Sequence, residues 1–98
     1  MGGVQLRRYE MKPGEMDAFV EAWRGAVVVR RQYGFSVVLA VVDEEHNEFV
    51  WVVSHDGDFA AAEQAYYASP ERAALPVDPG SFIVTPHVTM VRPEILPG

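Results

Sequence analysis

The sequence predicts an α+β domain of the ferredoxin-like βαββαβ plan. Four segments have the pattern of strands and two have that of helices, in the order strand, helix, strand, strand, helix, strand. This order is typical of a four-stranded antiparallel sheet with both helices on one face. The two middle strands are apolar on both faces, so the helix-free face also needs a cover. The simplest cover is a second copy of the sheet, which predicts a homodimer packed sheet to sheet.

The first third of the chain supplies a strand and a long helix. Val4 to Met11 form a strand of mixed polarity, which suits an edge or the wall of a pocket. A Pro-Gly pair ends this strand, and from Glu15 apolar residues recur at helical spacing. The buried helix face consists of Met16, Phe19, Val20, Trp23, Ala26 and Val27. Gly34 suits the left-handed cap that ends many helices.

Two strongly apolar strands follow the helix. The segments Phe35 to Val42 and Phe49 to His55 barely alternate in polarity, and a polar loop joins them as a hairpin. Asp58 then suits the N-cap of a helix that begins near Phe59, because its carboxylate can accept a bond from a free backbone N–H.

The second helical region is predicted as two pieces, followed by a strand. Ser69 and Pro70 repeat the start signal of a helix, with serine as the cap and proline at the first helical position. Residues 76–80 form a rigid loop that contains two prolines. Ser81 to Arg92 have the pattern of the last strand, which Pro86 places at an edge or a bulge.

Composition restricts the classes of function. The 98 residues are expected to form one domain over 1–98, and 49% hydrophobic with 22% charged residues is an ordinary globular mixture. A net charge of −6 disfavours binding to nucleic acid. The chain has no cysteine, so disulfides and thiolate chemistry are excluded. It shows neither a signal peptide nor a membrane span, and we expect a cytoplasmic protein without a membrane partner.

Several segments resemble the NIPSNAP family. In Gln5–Gly14 a polar residue, an arginine and a tyrosine alternate before Pro-Gly, as they do at the opening of that family. Further matching segments are Trp23, Tyr33–Phe35, Asn47–Val50 and Tyr66–Arg72. The resemblance covers about residues 4–92. The chain departs from the family pattern at Gln5, where glutamate is common, and at His55, where an aromatic residue is more usual.

This resemblance implies a dimeric α/β barrel. The wider superfamily holds antibiotic-biosynthesis monooxygenases and small polyketide cyclases, which bind an apolar ligand between helices and sheet, often without a cofactor. We therefore expect no cofactor for this chain. The resemblance is stronger evidence for the architecture than for any particular reaction, because one fold supports many functions.

Histidines are the first candidates for proton transfer, because imidazole titrates near neutral pH. His55 shares a strand face with Phe49 and Trp51, and lies at the rim of an aromatic cavity if that face meets the helices. His87 shares a polar strand face with Thr89. Each is either a general base or a structural residue bonded to a backbone carbonyl or placed at the dimer seam. The spacing of the histidines matches no metal-binding motif, so no metal is expected.

Other candidates lie on the first strand and on the helices. Arg7 and Tyr9 share one strand face, where they either stabilise a developing enolate or belong to an interior hydrogen-bond network. The aromatic candidates for substrate binding are Trp23, Trp51, Tyr66 and Tyr67. Aromatic residues at helical spacing also serve as ordinary core.

Two functions of different classes remain open. In the first, the protein binds a small, largely apolar, aromatic or polyketide-like metabolite, as a cofactor-independent monooxygenase or cyclase. His55 or His87 is then the base, and Tyr9 with Arg7 stabilises the anion. In the second, the chain is a non-catalytic binding or assembly module with a packed interior. A haem-degrading variant is a third option, because histidine can ligate iron.

Overall fold

A computed structural model of the chain describes residues 2–94. The strands are β1 (Gly3–Met11), β2 (Phe35–Asp43), β3 (Glu48–His55) and β4 (Ile83–Val91). The helices are α1 (Met16–Gln32), α2 (Phe59–Tyr67) and α3 (Pro70–Ala73), and a 3₁₀ turn spans Pro79–Phe82. The strands form one antiparallel sheet in the order β2-β3-β1-β4. This topology confirms the predicted ferredoxin-like α+β fold.

The sheet order settles the position of two strands. The first strand, β1, is central rather than at an edge, so its mixed polarity reflects the pocket that it lines. The last strand, β4, is an edge strand, which accounts for Pro86 within it. It begins at Ile83 instead of Ser81, because the 3₁₀ turn occupies the residues before it. The register between β1 and β4 shifts between Glu10 and Met11.

Local signals in the sequence account for the helix boundaries. The Asp58 carboxylate accepts from the backbone N–H of Ala61 at 3.0 Å, and Ser69 Oγ accepts from that of Arg72 at 3.0 Å. The second helical region is therefore in two pieces, as predicted. Gly34 follows α1 with φ of 89°, and a Cβ atom there would lie 2.7 Å from His55 Nε2. Glycine is required at that position on both counts.

The apolar stripe of α1 packs on the sheet through aromatic rings. Phe19 is fully buried, and its ring centroid lies 5.0 Å from that of Phe49 and 5.8 Å from that of Tyr9. The indoles of Trp23 and Trp51 meet edge to face at 5.4 Å. These edge-to-face pairs join α1, β1 and β3 into one core, and each is worth about 1 kcal/mol beyond simple burial.

The helix-free face of the sheet is apolar at its centre. Its apolar side chains include Leu6, Leu39, Val41, Val50 and Val52, as the register and the burial pattern assign them. Two of them lie on the edge strand β2, where Leu39 is 53% and Val41 is 43% exposed. The sheet-to-sheet homodimer that would cover this face stays a prediction.

A β-bulge in β2 decides which of its residues belong to that face. The register shifts between Val37 and Leu39, so the alternation of inward and outward side chains is reversed beyond Val38. Val37 therefore faces the helices with Val53 beside it, whereas Leu39 lies on the opposite face next to Val52.

The described residues lack two features, a membrane-spanning helix and a cluster of metal ligands. None of the helices within residues 2–94 is long and apolar enough to cross a membrane. The same part of the chain holds no group of three histidine, aspartate or glutamate side chains placed to bind a metal ion.

Candidate functional site

A cavity of about 440 Å³ lies between the helices and the sheet. Strands β1, β3 and β4, helices α1 to α3 and the 3₁₀ turn all contribute side chains to its wall. The aromatic part of the wall consists of Tyr9, Phe19, Trp23, Trp51, Tyr66 and Tyr67. The cavity reaches solvent beside the edge strand, where Val88 is 45% exposed. Its volume is in the range of sites for small molecules.

Arg7 is the anchor of a buried polar network on the cavity wall. Its Nε donates to Gln5 Oε1 at 2.6 Å, its Nη1 to Tyr9 Oη at 2.8 Å, and its Nη2 to Glu63 Oε2 at 2.7 Å. Burial disfavours the charge, but interactions with Tyr9, Tyr67 and Glu63 outweigh it and raise the pKa of Arg7. The guanidinium is therefore a fixed, permanently charged donor.

Arg30 is a second buried arginine, and the sequence analysis missed it. It is 3% exposed, and its Nη2 donates to Tyr67 Oη at 3.0 Å. Its guanidinium carbon lies 4.5 Å from the ring centroid of Tyr66 and 5.4 Å from that of Trp51. A signal was present, because position 30 continues the apolar stripe three residues after Val27. A basic residue near the end of a helix also interacts favourably with the helix dipole, so the pattern alone does not mark Arg30 as buried.

Both arginines share one carboxylate, that of Glu63. Glu63 Oε2 lies 2.7 Å from Arg7 Nη2 and 3.5 Å from Arg30 Nη1. Two guanidinium groups thus share a single carboxylate in a largely buried setting, and among residues 2–94 one of the two positive charges has no carboxylate of its own.

Arg72 and Asp78 form the rim of the cavity. Arg72 Nη2 donates to Asp78 Oδ1 at 3.0 Å, and this bond lowers the pKa of the Asp78 carboxyl. The guanidinium carbon of Arg72 also lies 5.8 Å from the ring centroid of Tyr66. Burial raises the pKa of the Tyr66 hydroxyl, against the opposing effect of Arg30 and Arg72. Tyr66 is consequently a neutral phenol at physiological pH.

Three buried donors at the cavity have no acceptor within residues 2–94. They are the indole N–H groups of Trp23 and Trp51 and the Nε–H of Arg72. Native proteins leave few buried polar groups unpaired, and each one calls for an explanation. All three side chains line the same cavity.

Six of the eight residues predicted for the site line this cavity together. They are Arg7, Tyr9, Trp23, Trp51, Tyr66 and Tyr67. The other two, His55 and His87, are not on its wall.

His55 faces the helix side of the sheet but is used in structural bonds. Its Nε2 lies 2.9 Å from the carbonyl oxygen of Tyr33, and its Nδ1 accepts from the backbone N–H of Gly57 at 2.8 Å. A carbonyl only accepts and an N–H only donates, so this geometry requires a neutral ring with its proton on Nε2. This arrangement matches the structural interpretation of His55 as a residue bonded to a backbone carbonyl.

His87 lies on the helix-free face. It is paired in register with Arg8, and its Nε2 lies 2.6 Å from Glu10 Oε2. Sequence alone did not show toward which face position 87 points, because this depends on the register between β4 and β1. The sheet separates His87 from the cavity wall.

Comparisons with known proteins identify the class of fold. No protein-family model matches the chain, and no curated protein matches it. Solved structures do match: the fold is that of NIPSNAP family proteins and of proteins described as antibiotic biosynthesis monooxygenases.

Three solved structures illustrate this likeness. An uncharacterized NIPSNAP domain protein from Burkholderia xenovorans aligns over 100% of this chain and 99% of its own, with a TM-score of 0.80 and 17% identity. A NIPSNAP family protein from Agrobacterium tumefaciens aligns over 96% and 94%, with a TM-score of 0.82 and 12% identity. A putative antibiotic biosynthesis monooxygenase from Bacteroides thetaiotaomicron aligns over 96% and 90%, with a TM-score of 0.73 and 16% identity. At these identities the likeness is one of fold.

Proposed function

We propose that the cavity binds a small, largely apolar molecule with an aromatic or polyketide-like body. The observation that carries this proposal is the 440 Å³ space walled by six aromatic side chains. Flat rings on several sides suit a flat apolar ligand, because stacked and edge-to-face contacts add to the hydrophobic effect. Three strands, all three helices and the 3₁₀ turn build the wall, so the site depends on the folded domain.

The cavity favours this function over a non-catalytic assembly module. A module whose only role is its interface would be expected to fill its interior with side chains. An empty volume of ligand size is better explained by a ligand. The haem-degrading alternative loses its support, since no histidine of the described chain lines the cavity.

We further propose that any reaction in this cavity is of the cofactor-independent monooxygenase or cyclase type. Support comes from the likeness to structures described as antibiotic biosynthesis monooxygenases, and from Arg7 and Tyr9 on the wall. These two groups would stabilise an enolate or phenolate oxygen electrostatically. The positions of His55 and His87 favour neither as its base. If the substrate is turned over and single alanine variants of both keep full turnover, the histidine-base mechanism is excluded.

The helix-free face supports the proposal of a homodimer. Single protomers would expose Leu39 and Val41 to water over a contiguous apolar surface. Such patches mark interaction sites in soluble proteins. A second copy of the same sheet offers a matching apolar surface, as in the two-fold symmetric interfaces of most homodimers.

Binding is tested by tryptophan fluorescence with 1-naphthamide, an uncharged bicyclic probe. Both tryptophans of the chain line the cavity, so a ligand there changes their emission. We expect saturable binding at one site per chain.

Val88→Phe at the mouth of the cavity should weaken binding of the probe by about tenfold or more through steric blockage. Val28→Phe is the matched control, because Val28 is 57% exposed and lies outside the cavity wall. Equal binding by both variants would contradict the proposed site.

A further inference from the structure

We infer that the ligand of this cavity carries an anionic oxygen, such as a carboxylate, an enolate or a phenolate. The inference rests on the proposed function and specifies the chemical class of the ligand. It follows from an excess of hydrogen-bond donors over acceptors on the cavity wall, and from the charge of that wall.

The unpaired donors are the first argument. Trp51 is 2% exposed, yet its indole N–H meets no acceptor within the described residues, and the same holds for the indole N–H of Trp23 and for Arg72 Nε. An unpaired buried donor costs about 1–3 kcal/mol relative to a paired one. A ligand oxygen placed beside such a donor would pair with it, and a hydrocarbon would not.

Two tyrosine hydroxyls add to the donor excess. Tyr9 Oη accepts from Arg7 Nη1 at 2.8 Å, and Tyr67 Oη accepts from Arg30 Nη2 at 3.0 Å. Because each hydroxyl oxygen accepts its bond from arginine, its own proton remains available for donation. Neither hydroxyl donates to a group within residues 2–94. Both tyrosines line the cavity, so each hydroxyl is available as a donor to a ligand.

The charge of the wall is the second argument. Three guanidinium groups, from Arg7, Arg30 and Arg72, are paired with only two carboxylates, from Glu63 and Asp78. The site thus carries one net positive charge in a chain whose overall charge is −6. Charges interact more strongly in this partly desolvated setting than in water, so an anion is favoured.

The same geometry disfavours a cationic ligand. Aromatic walls can bind cations through their ring faces. Here Arg30 already occupies those faces, at 4.5 Å from the Tyr66 centroid, 5.4 Å from that of Tyr67 and 5.4 Å from that of Trp51. A second cation at these three rings would be repelled by the guanidinium group.

A pair of nearly isosteric probes tests the inference by calorimetry. 1-Naphthoate and 1-naphthamide share the same rings, but only the first carries an anionic oxygen. We expect the wild-type protein to bind naphthoate at least about tenfold more tightly. Equal binding, or tighter binding of the amide, would overturn the inference and leave the proposed function standing. Failure of both probes to bind would overturn the inference and the proposed function together.

Single variants test which hydrogen-bond donors cause the preference for naphthoate over naphthamide. Trp51→Phe removes one indole N–H, and Tyr67→Phe removes only a hydroxyl from a residue that is 49% exposed, so the second variant keeps the test valid if the first fails to fold. Each should reduce the ratio of naphthoate to naphthamide affinity severalfold. Tyr33→Phe is the matched control, because its hydroxyl donates to Glu71 outside the cavity wall. An unchanged ratio in the folded cavity variants would overturn the assignment to these donors.

Discussion

The guanidinium group of Arg30 lies 4.5 Å from the ring centroid of Tyr66, and both side chains are buried, at 3% and 1% exposure. A charge held against a ring in this way links α1 to α2 across the cavity wall. Arg30 also lies 3.5 Å from Glu63, so it connects the aromatic and the polar parts of the site. Its contribution to stability is therefore measurable separately from ligand binding.

Replacement of Arg30 by methionine is expected to lower the free energy of unfolding by about 1–2 kcal/mol. The variant keeps an apolar stem but loses the cation–π contacts and the bond to Tyr67. Glu63 keeps its ion pair with Arg7 in this variant, which limits the loss of stability. Urea unfolding of Arg30→Met and of Arg31→Met measures the effect, since Arg31 is the exposed neighbour on the same helix turn. Equal stabilities for the two variants would contradict the role of Arg30.

His55→Ala is expected to reduce stability by roughly 1–3 kcal/mol and to leave the affinity for naphthoate unchanged. The imidazole ties the end of β3 to the carbonyl of Tyr33 and to the N–H of Gly57, and the variant leaves these backbone groups without it. His46→Ala serves as control, because that side chain is 63% exposed in the hairpin loop. A stable His55→Ala protein with impaired ligand chemistry would instead indicate a direct role in the site.

Stability should fall at acid pH through the rim pair. Arg72 lowers the pKa of Asp78 below its ordinary value of 3.8. The carboxylate therefore stabilises the folded state above that value, and this contribution is lost as the pH falls through the lower, folded-state pKa. The side chain is 66% exposed, so the effect is small. Urea unfolding should show Asp78→Asn to be less stable than wild type at neutral pH and equally stable near about pH 2. A difference that persists unchanged in acid would refute this linkage.

Val41→Glu is expected to dissociate the proposed homodimer. Val41 is 43% exposed on the helix-free face, and two copies of a carboxylate in a symmetric apolar interface would be desolvated without a partner. Light scattering should give twice the chain mass for wild type and the chain mass for the variant. Val28→Glu, on the exposed side of α1, should keep the wild-type mass. A monomeric wild type at micromolar concentration would exclude the interface.

The topology of the sheet and most of the aromatic part of the cavity wall could be predicted from the sequence. Helical spacing is a local property, and it placed Trp23 on the correct face of α1. The alternation of side chains along a strand is also local, and it placed Arg7, Tyr9 and Trp51 on the correct face of the sheet. Tyr66 belongs to the same group, since it lies on the aromatic stripe of α2.

Other features depend on long-range register, which a sequence pattern does not contain. The bulge in β2 falls within a continuous apolar run, so nothing in the pattern shows that the alternation is reversed beyond Val38. The orientation of His87 depends on its pairing with Arg8 in β1. Burial of Arg30 depends on Glu63, which is distant in sequence and meets it only after folding.

The most direct test of the account is the NMR spectrum of the indole N–H groups on addition of 1-naphthoate. The chain has two tryptophans, so it gives two indole signals, and Trp51→Phe assigns them. We predict a saturable downfield shift of the Trp51 signal, because its N–H would gain a charged oxygen as acceptor. Two indole signals that stay in place up to millimolar naphthoate would contradict the claim that this cavity binds an anionic aromatic ligand.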